Sequence, residues 1–331
     1  MTIQEIAKLA GVSAATVSRY FNDGYVSEEK KSAIAKVVEE TGYRPSPSAR
    51  TLRTKRTNTI GVIIPTMDSW TIGRVVSGIM NRLEGNGYRI LIANTGGDIK
   101  KENEYIRVFG DQQVDGILLF GTRFIKKHRK TILKTEVPIV VIGQFLEGCY
   151  CVYHDDYRAM YDMTEYFIGK GRKKIGMIGV TFDDMAVGKE RYKGWKDALK
   201  KNGLALEDDQ FVMADFSIDS GYEKMGELYG KLPELDAVIC ATDHIAVGAV
   251  KYLKDAGVKV PDVIMVSGQG DSELASVSSP SITTIHYHYQ YSGQVAAELI
   301  LRLLEGENIV MKEIKLPCEI VKKESTADGK N

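Results

Sequence analysis

The chain has 331 residues, about twice the length of a typical single domain, so more than one hydrophobic core is expected. With 44% hydrophobic and 27% charged residues it falls among soluble globular proteins, which excludes wholesale disorder. Formal charge is zero, yet residues 1–56 carry ten basic side chains against six acidic ones, and the remainder 34 against 38. A small basic head on a mildly acidic body is the distribution expected of a nucleic-acid-binding appendage.

In chain order, Thr2-Ile3-Gln4-Glu5 matches a capping box, and Ile6, Leu9 and Ala10 follow on one helical face until Gly11 stops the run. Ser13 can cap a second helix over Ala14 to Phe21, closed by the turn residues Asn22-Asp23-Gly24. Ser27, with Glu28 and Glu29 in the first turn, opens a third helix that carries Ile34, Val37 and Val38 inward and ends at Thr41-Gly42. Two short helices across a glycine turn, braced by a third, make a helix-turn-helix. Val17 and Phe21 should pack inward; the opposite row of Ala14, Ala15, Ser18, Arg19 and Asn22 is small, polar and cationic, which suits the major groove. Arg19 could donate two hydrogen bonds to guanine, and the alanines could touch thymine methyls. The plainer alternative is a three-helix structural cap with Arg19 merely solvated.

Between Glu40 and Asp68 no acidic residue occurs, while Arg44, Arg50, Arg53, Lys55 and Arg56 do. Residues 45–58 read as a linker in which Ala49 to Arg53 is too short for an isolated helix and would order on phosphates beside a second copy. Leu52, stranded in that basic stretch, either packs on the core or wedges into a minor-groove base step.

Residues 2–13, Ala15-Thr16-Val17-Ser18-Arg19, Gly42-Tyr43-Arg44-Pro45 and Ala49-Arg50-Thr51-Leu52 together closely resemble the lactose/galactose repressor (LacI/GalR) family, and the similarity extends along nearly the whole chain. The resemblance implies a homodimeric, ligand-controlled transcription factor on palindromic double-stranded operator DNA. It implies a hinge helix around Ala49–Leu52 and Leu52 as the minor-groove lever. Thr2, Ser13, Thr16, Tyr25, Ser27 and Arg50 join the helix row and Leu52 as expected DNA contacts. Alanine at both 14 and 15 departs from relatives that often carry larger base-reading side chains. Specificity is then expected to rest on Arg19, Thr16, Asn22 and deformation of the DNA.

From Thr59 the pattern changes to βαβ units. Strands are predicted at Ile60–Ile64, Arg89–Ala93, Gly116–Phe120 and Ile139–Ile142, then, after a restart near Asp155-Asp156, at Ile175–Val180, Phe211–Ala214, Ala237–Ala241 and Ile264–Ser267, with helices between. The expected fold is a small all-α helix-turn-helix domain (1–44) joined to an α/β core (59–331) of two doubly wound parallel-sheet lobes, resembling the periplasmic-binding-protein fold. The lobes are expected at about 59–156 plus 288–318 and about 157–287 plus 319–331, with helix Gln290–Glu305 returning to the first.

Ligands of such sheets sit beyond the carboxyl ends of the strands. Asp68, Gln144, Thr242, Asp243 and Asp271 lie at those ends, and Trp70 and Phe216 offer flat apolar faces on which a pyranose could stack. By resemblance, Arg191 matches the family arginine that reaches the effector and would need oxygen acceptors to offset its burial. Thr242 stands where relatives commonly have asparagine, Asp243 contacts effector or caps a helix, Gly270 replaces a hydroxyl-binding aspartate, and Tyr287 stands where relatives often have glutamine. His286 and His288 on one strand face could ligate a metal, but structural roles are favoured and no metal or cofactor is expected.

GxxxxGK[ST], HExxH and GxSxG are absent, so no enzyme is expected. The start of the chain lacks signal-peptide character, no apolar run approaches a membrane span, and Cys149, Cys151, Cys240 and Cys318 form no CxxC pair. A cytoplasmic ligand-responsive repressor controlled by a sugar or sugar phosphate is the principal reading. A sugar-transport receptor, and a regulator answering to a purine-like or corepressor ligand, are the alternatives. The tail Glu324–Asn331 has no apolar heptad, so a homodimer without a tetramerising coil is expected.

Overall fold

The computed structural model describes residues 1–22, 24–43, 56–124 and 126–328, and these separate into two compact units, 1–58 and 59–331.

The first unit contains α1 (Ile3–Leu9), α2 (Ala14–Tyr20) and α3 (Glu28–Thr41). The capping box closes as its spacing requires: Thr2 N–H donates to the Glu5 carboxylate at 2.7 Å and Glu5 N–H to the Thr2 hydroxyl at 3.3 Å. Gly11 makes the turn at φ 63°, and Gly42 ends α3 at φ 62°, both in the left-handed region that favours glycine. Ile6, Ala7, Val17 and Ile34 form the core, with Phe21, Val37 and Val38 packed at its edge. Leu9 does not join them. It is 59% exposed, because the inward face of this seven-residue helix runs through Ile6, Ala7 and Ala10.

The second unit contains two parallel sheets and a two-stranded antiparallel one. One has six parallel strands in the order β11-β5-β4-β3-β1-β2: β1 (Thr59–Ile64), β2 (Arg89–Asn94), β3 (Gly116–Phe120), β4 (Ile139–Ile142), β5 (Tyr150–His154) and β11 (Glu313–Leu316). Helices α4 (Trp70–Glu84) and α12 (Tyr289–Leu304) cover one face through Val75, Ile79, Ala296 and Ile300. Helices α5 (Ile99–Val108) and α6 (Lys126–Lys134) cover the other through Ile106 and Ile132. The second sheet runs β7-β6-β8-β9, with β6 (Ile175–Gly179), β7 (Phe211–Met213), β8 (Ala237–Cys240) and β9 (Met265–Ser267), again parallel. It is sandwiched by α7 (Asp156–Gly169) and α8 (Arg191–Lys201) on one face and by α9 (Ile218–Lys231), α10 (Asp243–Asp255) and α11 (Glu273–Val277) on the other. Because helices cover both faces, β3, β4, β6, β8 and β9 are buried at every position, which is why they read as continuous apolar runs.

The chain passes between the lobes after β5, after β10 (Thr284–Tyr287), and between β11 and β12 (Cys318–Val321), the last strand pairing antiparallel with β10. β5, α6, α7, α11, β11 and β12 were not anticipated from sequence. Strand β5 is only five residues with a polar mixture, and α6 and α7 carry their apolar positions among many charged ones. Among the described residues, no helix is long and apolar enough to cross a membrane. The four cysteines are free thiols, and burial pushes each thiol pKa upward, that of Cys151 to about 11.

Candidate DNA-reading head and effector cleft

On α2, Ala14, Ala15 and Arg19 are exposed, Thr16 and Ser18 half-buried, and Val17 faces the core. The outer row is therefore slim and ends in a guanidinium, a shape that a major groove admits and a donor pair that guanine can accept. Several neighbours are already committed. Ser13 Oγ accepts from Thr16 N–H at 3.2 Å and lies 2.9 Å from the Thr16 hydroxyl; the Asn22 side-chain amide donates to the Ser18 carbonyl. Thr2 is held in the capping box. Ser27 occupies the N-cap position of α3 without accepting a hydrogen bond on its side chain, and Tyr25 is 88% exposed. Arg50 and Leu52, and with them the expected hinge helix, lie outside the described residues.

In the second unit a cleft of about 740 Å³ lies beyond the carboxyl ends of strands from both sheets. Pro65 to Asp68 follow β1, Thr122 and Arg123 follow β3, Thr181 to Asp184 follow β6, Phe216 follows β7, Thr242 follows β8 and Gln269 follows β9. This is the place at which parallel α/β sheets collect ligands, and its volume is of small-molecule size. Trp70 and Tyr289 meet edge-to-face with ring centroids 6.4 Å apart, and Phe216 is 52% exposed across the cleft lining. Arg123 reaches Asp183 at 3.2 Å, an ion pair from the loop after β3 to the loop after β6.

Arg191 lies beneath, 5% exposed. Its guanidinium contacts one Asp156 oxygen at 2.6 and 2.7 Å, donates to the Ala241 carbonyl, and stands 4.9 Å over the Tyr287 ring. Asp184 caps the turn at Met185–Glu190 by accepting from Val187 N–H at 2.9 Å. Burial, augmented by nearby Asp156, pushes its carboxyl pKa up to about 6. Asp243 is 2% exposed and fully engaged, accepting from Ser272 N–H at 2.7 Å and the Thr284 hydroxyl at 2.6 Å; burial raises its pKa too. Thr242, and not Asp243, caps α10 through Ile245 N–H at 3.3 Å. Behind the cleft, His154 packs edge-on against Tyr287 and Tyr289, and burial drives its pKa down to about 3.

A model of bacterial regulatory proteins of the lacI family matches residues 2–46, and a periplasmic binding protein-like domain model matches residues 164–326. An HTH-type transcriptional regulator, RegA of Clostridium saccharobutylicum, is 32% identical over 98% of this chain and 99% of its own length. The chain belongs to the lacI family. A sucrose operon repressor of Staphylococcus xylosus is likewise 32% identical, over 94% of this chain and 96% of that protein. The lac repressor dimer, solved bound to operator and an anti-inducer, superposes with a TM-score of 0.89 over 99% of both chains at 22% identity, a likeness of fold. The chain is accordingly a ligand-responsive transcriptional repressor of this family, whose members are not enzymes.

Of the effector residues expected from sequence, this lacI-family structure brings Asp68, Trp70, Arg191, Phe216, Thr242 and Asp243 to the cleft lining. Gln144, Asp271 and Tyr287 are not on it. Gln144 is 3% exposed behind Gly121. Asp271, at φ 49°, holds Lys323 at 2.9 Å and His286 at 3.0 Å. Tyr287 is buried and donates to Gln269, while Tyr289, two residues on, reaches the cleft instead. His288 approaches Glu319 at 3.4 Å, and no group of three metal-ligating side chains gathers among the described residues. Arg123, Asp183, Asp184 and Gln269 line the cleft as well. The segments Thr181–Asp184 and Gly268–Asp271 are strand ends that the same rule marks in the sequence, so Asp183, Asp184 and Gln269 were within its reach; Arg123 needed only to be read past the end of β3.

Proposed function

We propose that the chain represses transcription as a homodimer on a palindromic operator, each head reading one half-site through Arg19 and the outer row of α2. We further propose that a sugar or sugar phosphate in the cleft sets its DNA affinity. The observation that carries this reading is one cleft lined by strand ends from both sheets, in a chain whose head exposes a slim, cationic helix row. A ligand touching both lobes favours whichever lobe arrangement gives it more contacts. If that arrangement alters the spacing of two heads, effector and operator are linked reciprocally, typically by ~1–3 kcal/mol. The relative named a sucrose operon repressor supports a sugar. Stacking surfaces at Trp70 and Phe216 and the carboxylates beside them support it too.

Selection of bound sequences from random duplex DNA tests the operator reading. An inverted repeat should be enriched, and Arg19→Ala should lower preference for it roughly 5–150-fold while the salt-dependent background on random DNA persists. Recovery of no inverted repeat by the unmodified protein removes the operator proposal; full preference in Arg19→Ala removes the recognition role of that residue.

A further inference from the structure

We infer that the crossing between the lobes is a proton-binding switch built on His154, through which acidification alters the lobe arrangement. Its consequence for DNA rests on the reading above, in which lobe arrangement sets operator affinity. His154 ends β5 in the six-stranded sheet, at the first crossing. Its ring meets Tyr287 edge-on at 5.3 Å and Tyr289 at 5.5 Å, and those two rings stack on each other 5.4 Å apart. Tyr287 ends β10, on the second lobe's side of the next crossing, while Tyr289 opens α12 on the first sheet. The imidazole is thus wedged between one ring from each lobe. A change of lobe angle must shear that packing.

The surroundings accept the ring only in its neutral form. His154 is buried, and its Nε2 has no hydrogen-bond partner among the described residues. Burial drives its pKa down to about 3, charge on His288, Arg191 and His286 pushes the same way, and a hydrogen bond at the His288 backbone opposes them. Each neighbouring carboxylate is already claimed. Asp156 holds Arg191 at 2.6 Å, Asp271 holds Lys323 at 2.9 Å and His286 at 3.0 Å, Glu319 holds His288 at 3.4 Å, and Asp155 holds Lys315 at 3.7 Å. Burial raises the Cys318 thiol, at the third crossing, and the Tyr287 and Tyr289 hydroxyls, so none of these supplies an anion. An arrangement that lets water reach Nε2 restores a value near the ordinary ~6.5. The arrangement seen here is therefore favoured at high pH, and protons shift the balance away from it below about pH 6.5, by about thirtyfold at pH 5. The DNA side is silent in this interval: His128, His154, His244, His286 and His288 are all in the second unit, so the head carries no side chain that ordinarily titrates between about pH 5 and 8.

NMR of the full chain with carbon-13-labelled histidine, from about pH 7.5 to about 4.5, tests the site directly; affinity for the operator recovered by selection is the second readout. The His154 signal, assigned by its loss in His154→Phe, should take up a proton with a midpoint above about pH 4.5, since a second arrangement populated at roughly 1% suffices for that. Operator affinity relative to random DNA should change at least about threefold between about pH 7 and about pH 5. His154→Phe, which keeps a ring between the tyrosines, and His154→Gln, which keeps a polar side chain, should both flatten that profile to within about twofold. Asp184→Asn, which removes the cleft carboxyl with a pKa of about 6, and the paired change His286→Gln with His288→Gln should leave the profile in place. A His154 ring that stays neutral to about pH 4.5 in the folded chain overturns the inference, as does a profile that survives both His154 variants. Proton uptake by His154 with operator affinity unmoved supports the switch, and removes instead the coupling of lobes to heads proposed above.

Discussion

Arg191 illustrates how a residue expected to greet a ligand can be occupied beforehand. A buried guanidinium needs acceptors, and Asp156, the Ala241 carbonyl and the Tyr287 ring supply them within the fold. An effector therefore meets a pre-organised ion pair and not a bare cation. Asp184 carries the opposite imbalance. Its folded pKa of about 6 lies above the ordinary carboxyl value, so the ionised form is penalised in the native state. That contribution is favourable below about pH 4 and is lost as pH rises through about 6. Asp184→Asn should thus unfold at higher urea than the unmodified chain at pH 8, by about 1–3 kcal/mol, with the gap closing as pH falls to about 4. A gap that does not change with pH would mean the carboxyl is not strained. His154 works against this at the acid side: held neutral by burial, it costs stability as pH drops from about 6.5 towards about 3.

The helices are positioned by close contact at glycine. A Cβ at Gly78 in α4 would sit 1.9 Å from the Gln290 carbonyl, and one at Gly293 in α12 would sit 2.0 Å from that of Val75. These two helices therefore touch backbone to backbone. The α9–α10 pair repeats the arrangement: a Cβ at Gly248 would lie 2.0 Å from the Ile218 carbonyl. Alanine is ordinarily better than glycine inside a helix by about 1 kcal/mol. At Gly293 the preference should invert, because the helices would have to separate and uncover Val75 and Ile79. Gly293→Ala is expected to lose roughly 2 kcal/mol or more in urea unfolding. Gly230→Ala, where a Cβ meets nothing within 4 Å, should be neutral or slightly stabilising. Equal behaviour of the two variants would mean that the crossing tolerates a side chain.

At the scale of the molecule, the six-stranded sheet ends on β2, an uncovered strand. Leu91 is 45% and Ile92 38% exposed there, and Met80 on the adjoining α4 is 38% exposed. An apolar edge strand left bare invites pairing, and proteins usually charge or cover such edges. A second copy of the chain is the partner that the proposed dimer supplies. Leu91→Lys should then convert the protein to a monomer in sedimentation and weaken operator binding at least tenfold, since both half-sites would have to be filled independently. A variant that sediments as the unmodified protein does would place the contact elsewhere.

The local features of this protein were legible in sequence because their energetics are local. The capping box at Thr2, the glycine turn, the inward Val17 and the buried runs of β1, β3, β4, β6 and β8 follow from spacing alone. The family likeness was carried by residues in the same head. Partner choice was not legible. Ile90-Leu91-Ile92-Ala93 reads like its buried neighbours, and only its place at the end of the sheet leaves Leu91 and Ile92 exposed. Asp271 turns to Lys323, Arg191 to Asp156, and Tyr289 supplants Tyr287 at the cleft, through contacts between segments far apart in the chain. Residue type and spacing decide which elements form. Which polar groups satisfy one another, and so which remain for a ligand, is decided when the two sheets pack and desolvate their ends.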